Sequence, residues 1–336
     1  MNNLKKVGLS ALAGSLAMFS AHAGEMTISG SAEATYTSNS GSDALSTANG
    51  TGGVSGNPFG LSHDIDITGT GELDNGWTYK VNTDFAQDMA QDSTTLMLDM
   101  GSLGTVGIDQ GSGAFGIGTL ENKVPTAYEE ADHSVGVLGH GIDANGVAGN
   151  AIGYKNTFMG VGVNIEYLAD TGAAISQAGG VNGTSAGTDL NYALTYAMDN
   201  GLTLAYGASD TDLPYEAAGD TSEQVGSVNY VMGAISVGYQ ISENTSLGNV
   251  SQQNTHYGVA FNVNDSLSVS YSVNNAQDYN VGTAGGLEYE EQNKGVMAAY
   301  SIGGASARLA LNSADNVGGV TAVTAKNMEI SLALAF

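Results

Sequence analysis

The sequence predicts an all-β protein, a transmembrane, antiparallel up-and-down β-barrel of about sixteen strands with one long loop. Three observations lead there. Apolar residues recur at every second position in segments of strand length, short and long connections alternate between those segments, and no apolar run is long enough for a membrane helix. The last ten residues show the first pattern most clearly: Met328, Ile330, Leu332, Leu334 and Phe336 alternate with Asn327, Glu329, Ser331, Ala333 and Ala335. Side chains of a strand point to opposite faces in turn, so one face suits hydrocarbon and the other something smaller or wetter.

Taken in order, residues 1–23 come first. Lys5 and Lys6 precede an apolar stretch, and Ala21, His22 and Ala23 stand just before Gly24. This is the layout of a cleaved secretory signal, with cleavage after Ala23, and it leaves residues 24–336 as the barrel. Gly8, Ser10, Gly14 and Ser15 interrupt the apolar stretch, which is too short for an anchor. Strand-like alternation then runs from the region of Glu25 to the C-terminus, through Val161, Val163, Ile165 and Tyr167, or Tyr257, Val259, Phe261 and Val263. Tight connections carry turn chemistry: Asp74-Asn75-Gly76, Gly101 to Gly104, Met159-Gly160, Asp199-Asn200-Gly201, Met232-Gly233, Asn264-Asp265 and Gly303-Gly304. Between them run long polar segments at 39–57, 169–187, 209–221, 242–251, 276–290 and 312–325. In an antiparallel meander this puts tight turns at one rim and long loops at the other. Eleven strand tyrosines, from Tyr36 to Tyr300, are placed to form an interfacial girdle.

Composition agrees. Glycine supplies 49 residues and proline 3, as expected of strands joined by turns, and the absence of cysteine in an exported chain leaves stability to a closed sheet. A mean hydropathy of -0.05 is compatible with a barrel, where only alternate residues are apolar. Removal of Lys5 and Lys6 makes the net charge of -26 more negative by two, leaving 34 acidic residues against 6 basic ones. That excludes nucleic acid as a partner, which needs a basic footprint. Regular alternation excludes disorder for most of the chain.

Residues 110–149 break the pattern. They hold little alternation, several glycines, and Glu121, Lys123, Glu129, Glu130, Asp132, His133 and His140. A structureless stretch of that length inside a compact architecture is usually functional, and folding it inward would narrow a bore. Gly111, Gly113 and Gly116 match dinucleotide-fingerprint spacing, but no βαβ unit surrounds them. His63 beside Asp64 and Asp66 could suggest a metal, but Asp64, Asp66 and Thr68 alternate with Ile65 and Ile67 and so read as lumen-facing strand positions, and the loop histidines lack partners at zinc spacing. No cofactor is called for, and the metal question stays open only for structural calcium bridged by loop carboxylates. No nucleophile elbow or paired base argues for catalysis.

The order of these segments resembles a Gram-negative general diffusion porin of the alphaproteobacterial type. The resemblance rests on the signal, Gly24-Glu25-Met26-Thr27-Ile28-Ser29-Gly30 opening the first strand, Gly101-Ser102-Leu103-Gly104-Thr105-Val106 before the long loop, Asn150-Ala151-Ile152-Gly153-Tyr154 with Phe158 after it, and the terminal Phe336. It implies an outer-membrane homotrimer of sixteen-stranded barrels, set among outer-membrane lipids and passing small hydrophilic solutes and ions. The third external loop would fold into the lumen and form the constriction. Many such porins carry an arginine cluster opposite acidic loop residues. Here the strand before the loop reads Gly107-Ile108-Asp109-Gln110, and Arg308 is the only arginine.

The constriction residues expected on these grounds are Glu121, Glu129, Glu130 and Asp132, with Lys123 as counter-charge, and the expected pore is passive and cation-preferring. A substrate-selective channel would instead show saturable flux, and a structural or adhesive surface barrel would show no step conductance. A soluble β-sandwich or β-solenoid would extract without detergent. The terminal Phe336 resembles the assembly signal read by the outer-membrane insertion machinery. Deleting it, or replacing it with Asp, should reduce the amount of protein in the outer membrane by more than the loss of one aromatic contact explains; normal levels of the truncated chain would remove that role.

Overall fold

Among the described residues sixteen strands each pair antiparallel with their sequence neighbours, and the first closes on the last. In chain order they are β1 (Met26–Gly41), β2 (Phe59–Glu72), β3 (Thr78–Phe85), β4 (Gln91–Asp99), β5 (Thr105–Gln110) and β6 (Asn150–Phe158). Then follow β7 (Val161–Leu168), β8 (Thr188–Ala197), β9 (Leu202–Asp212), β10 (Thr221–Met232) and β11 (Ile235–Ser246). The chain ends with β12 (Val250–Asn262), β13 (Leu267–Asn280), β14 (Glu288–Ile302), β15 (Ala305–Asp315) and β16 (Thr324–Ala335). The computed structural model describes residues 24–41, 57–132, 135, 150–168, 188–212, 221–246, 250–280 and 288–336. The expected signal segment, His133 and His140 lie outside them.

Closure is made by the chain ends. Ser31 stands opposite Ala335 and Gly41 opposite Ala325 across β1 and β16. The ladder continues one pair further, because Gly30 and Phe336 exchange both backbone hydrogen bonds at 2.9 and 3.0 Å. The phenyl ring lies over Gly30, where a Cβ would come within 2.9 Å of it. In β16 the alternation is as expected: Ile330, Leu332 and Leu334 are exposed on the outside, while Asn327, Glu329 and Ser331 are buried inside. Ten of the eleven strand tyrosines, Tyr79 excepted, are exposed.

All seven expected tight turns are present between strands, with Gly233-Ala234 rather than Met232-Gly233 joining β10 to β11. Their chemistry is local. In the β8–β9 turn Asn200 Oδ1 accepts from the Leu202 N–H at 3.1 Å, and Gly201 adopts φ 90°, a conformation open to glycine. At the opposite rim two features differ from expectation. The β3–β4 connection is also short, closed by Ala86 and Ala90 and by an Asp88 side chain accepting from the Ala90 N–H. The strands also run further into the polar segments than expected, β1 to Gly41, β9 to Asp212 and β11 to Ser246. Above the apolar band both faces are polar, so alternation vanishes while backbone pairing continues.

The apolar core lies between the loop and the barrel wall. Phe115, Ile117, Leu120, Val124, Ala131 and Val135 all belong to the long loop and are almost fully buried. They rest on inward-facing glycines. A Cβ on Gly153 would meet the Phe115 ring at 2.0 Å, and one on Gly107 would meet it at 2.9 Å. Gly207 lies under Ile117 and Leu120, both 2.9 Å from such a Cβ, and Gly238 lies under Pro125 at 2.4 Å. Gly258 receives Val124 and Gly295 receives Ala131. Val135 then packs with Ala314, Val317 and Val323. Burying a Phe, Leu or Ile side chain contributes about 1.5–3 kcal/mol each, so this contact holds the loop against the wall.

A side chain in the groove should therefore release the loop and leave the ladder intact. Lys123 is the only lysine or arginine between Gln110 and Asn150, so it is the only tryptic site there. Gly153→Leu should give a folded barrel that trypsin nicks after Lys123 far faster than the native protein, overpacking of this kind costing about 1–3 kcal/mol. Equal nicking rates would show that Phe115 does not seat the loop.

Candidate functional site: the constriction

Asp109, at the end of β5, turns the chain inward. Its Oδ1 accepts from the Ser112 N–H at 2.9 Å and from Ser112 Oγ at 2.7 Å, and its Oδ2 accepts from the Ala114 N–H at 2.8 Å. The carboxylate stands where arginine is often found in the resembling family, and it caps the first turn of the loop. Wall side chains then take the loop's backbone groups in succession, as buried polar groups require. Asn164 accepts from the Gly116 N–H at 3.1 Å and Asn191 from the Ile117 N–H at 2.9 Å. Gln240 accepts from the Lys123 N–H at 2.9 Å and Ser270 from the Ala127 N–H at 2.8 Å. Asn312 donates to the Glu130 carbonyl at 3.2 Å.

Tyr128 makes the last tie, at the seam of the barrel. Its hydroxyl lies 2.7 Å from Glu329 Oε1 and 3.0 Å from Glu33 Oε1, so one phenolic proton faces two carboxylates. Burial, then the hydrogen bonds to Glu329 and Glu33, push the Tyr128 phenol far above its usual range, and it stays protonated as a donor. Arg308, on β15, lies over the phenol ring with its guanidinium carbon 4.4 Å from the centroid. The same guanidinium forms an ion pair with Glu33 and donates through Nε and Nη2 to Ser331 Oγ at 3.1 and 2.9 Å. Ser331 in turn donates to Glu33, and Thr37 Oγ1 donates to Glu329 Oε2 at 3.1 Å.

The expected constriction residues fall into two groups. Glu129, Glu130 and Asp132 are half-buried and follow the Tyr128 tie. Glu121 and Lys123 are exposed and lie earlier in the loop, against β9 to β11. Lys123 is therefore not set beside Glu129 and Glu130 along the loop. It lines a cavity of about 490 Å³ with Lys155, Asp99 and Asn164. A neighbouring cavity of about 550 Å³ adds Lys80, Glu72 and Tyr79 around the same Lys155. Sequence reasoning missed Tyr128, Glu33, Glu329 and Ser331. A signal existed, since Glu33, Arg308, Glu329 and Ser331 all take the polar, inward position of strands that must meet at closure.

The contacts that seat the loop run from β5 round to β16 and β1. They leave β2, β3 and β4 as the wall across the bore. On that wall Asp66 stands opposite Asp84 in register, with Asp64 one inward position further along. Asn82 donates to Asp66 at 3.2 Å, and Thr68 donates to Asn82. Asp64 and Asp92 lie within electrostatic reach of Asp84. Lys80 is the one lysine or arginine on these three strands, opposite Thr70 and Met97. Among the described residues no group of three or more His, Cys, Asp or Glu is placed to hold a metal ion, and much of the polar loop rim where calcium would be sought lies outside them.

No curated protein matches the chain in sequence. Solved porins match it closely in fold. A porin refined at 1.8 Å superposes with a TM-score of 0.65 at 15% identity, covering 93% of this chain and 100% of that one. OmpF of Salmonella typhi gives 0.64 at 11%, covering 94% and 98%. An anion-selective porin from Comamonas acidovorans gives 0.62 at 13%, covering 93% and 99%. The family model for Gram-negative porins matches residues 8–286. With a closed sixteen-stranded barrel, a loop seated inside it and that match over most of its length, the chain belongs to the Gram-negative porins and forms a channel of the outer membrane.

Proposed function

We propose that this channel is a passive, water-filled pore for small hydrophilic solutes and that it prefers cations. The observation that carries the preference is the wall across from the loop. Asp64, Asp66 and Asp84 crowd its inner face, and like charges placed directly opposite across a ladder weaken the sheet. Carboxylates along a bore with low-dielectric walls focus a negative potential, which enriches cations and repels anions. The loop adds Glu129, Glu130 and Asp132, which follow the Tyr128 tie where the chain runs past β15 and β14. Fold alone leaves the sign open, because the Comamonas acidovorans porin of the same fold is described as anion-selective.

The charges are also selective in position. The bases Lys80, Lys123 and Lys155 line the two cavities between the loop and the tight-turn rim, together with Asp99, Glu72 and Glu25. Arg308 is spent on Glu33. Asp64, Asp66 and Asp84 of β2 and β3 are thus set apart from these bases, and the loop adds Glu129, Glu130 and Asp132 to the acidic side chains near the constriction. A homotrimer is the assembly this reading favours, since Met26, Ile28, Phe59 and Leu61 leave a strongly exposed apolar face on β1 and β2 that a neighbouring barrel would cover.

Two measurements test these points. In planar bilayers with a salt gradient, the native protein should give steps of conductance and a cation-preferring reversal potential. Neutralising Glu129 and Glu130 together, or Asp66 and Asp84 together as Asn, should each lower that preference and keep the conductance. Anion preference in the native protein, or a potential unmoved by both pairs, would overturn the filter. Native mass measurement in detergent should give three copies, and a monomer would contradict the assembly.

A further inference from the structure

The chain has one arginine, and it faces the lumen. A guanidinium exposed to the bore would attract anions and oppose the carboxylates around it. The structure gives Arg308 other work. Its edge is occupied by Glu33 and Ser331, and one face of its plane is covered by the Tyr128 ring at 4.4 Å. An aromatic face attracts such a cation through its quadrupole, and more strongly where water is excluded. The same phenol ties the loop to β1 and β16 through Glu33 and Glu329. One side chain therefore fixes the loop and screens the base.

We propose that Tyr128 and Arg308 form a clasp that sets the selectivity of the pore: closed, it holds the loop on the barrel seam and covers the only arginine; open, it frees the loop and uncovers one face of a guanidinium that Glu33 still holds. This deepens the channel reading above and rests on it. Tyr128 lies between the groove contacts of Val124 and Ala131, and the stretch that follows carries Glu129, Glu130 and Asp132. When the phenol leaves the seam, that stretch moves toward the bore and narrows it, while the guanidinium meets the permeating ions. The open clasp is a state of lower conductance and weaker cation preference. Tyr128 acts as a positioning residue, and it carries no charge of its own.

Single-channel recording of the purified full chain tests this with Tyr128→Phe, Tyr128→Ala and the double variant Tyr128→Ala with Arg308→Gln. Tyr128 lies outside the ladder, and Gln at position 308 keeps the backbone pairing with Ala299 and Ser331, so the barrel should form in all three. Tyr128→Phe keeps the ring over the guanidinium and loses the hydroxyl ties. It should raise the frequency of brief partial closures by about tenfold, the loss of a hydrogen bond to a charged group, and leave the reversal potential of the main state unchanged. Tyr128→Ala should show the closures and also move the reversal potential toward anions, and adding Arg308→Gln should reverse that move. A Tyr128→Phe channel as quiet as the native one overturns the tether. A Tyr128→Ala channel with the native reversal potential overturns the screening, as does a change in thermal stability with noise and potential both unaltered. A native protein that gives no conductance overturns the channel reading itself, whereas native conductance with silent variants overturns the clasp alone.

Discussion

Everything in this molecule follows from the pairing of backbone amides and carbonyls that have no water to bond. In hydrocarbon each unsatisfied group costs several kcal/mol, and only a closed sheet removes the edges at which such groups would lie bare. Closure of β1 on β16 is therefore the central contact, and the Gly30–Phe336 pair carries it to the last residue of the chain. Once the sheet is closed the side-chain alternation has a fixed meaning. The outer row of β16 must be Ile330, Leu332 and Leu334, and the inner row is left to Asn327, Glu329 and Ser331. A tube of sixteen strands lined by such rows is wide and wet, and its bore is then set by what is placed inside it.

The loop meets the opposite difficulty, because it brings Phe115, Ile117, Leu120 and Val124 into a polar lumen. Glycine solves it. Inward positions on β5, β6, β9, β11, β12 and β14 that lack a side chain form a groove where the loop's apolar side can lie against backbone. Between these positions stand Asn164, Asn191, Gln240, Ser270 and Asn312, each bonded to a backbone group of the loop. The inner face of the barrel thus does two jobs in two regions. From β5 round to β16 and β1 it is a seat, and on β2 to β4 it is a wall for permeating ions.

This division explains what was legible in the sequence. Strand number, turn positions and the limits of the long loop could be read because hydrocarbon imposes alternation and tight turns impose Asn, Asp and Gly; β5 ends at Gln110 and β6 begins at Asn150. Strand ends at the loop rim could not, because Ser38 to Gly41 or Glu243 to Ser246 are polar on both faces and still pair. The acidic loop residues were visible by charge alone. The clasp was not, since Tyr128 is an unremarkable aromatic until the chain folds back over the seam, and Arg308, Glu33 and Glu329 are far apart in sequence. Gly107, Gly153 and Gly207 carried a signal that pattern reading missed: a glycine at an inward position of a strand marks a close approach.

Net charge is a poor guide to what such a pore does. A value of -26 sums residues on both rims with those inside the bore, and a Debye length of ~8 Å at physiological ionic strength screens those on the rims. What matters is which lumen charges are left without a partner's cancellation. Arg308 is cancelled by Glu33, and Asp109 is committed to the Ser112 and Ala114 amides. Asp66 and Asp84 face each other across two strands with Asn82 as a shared neutral neighbour, an arrangement that costs the sheet stability. A structural role gives no reason to keep two carboxylates there. A bore that draws cations does, because the repulsion between them is relieved each time a cation passes.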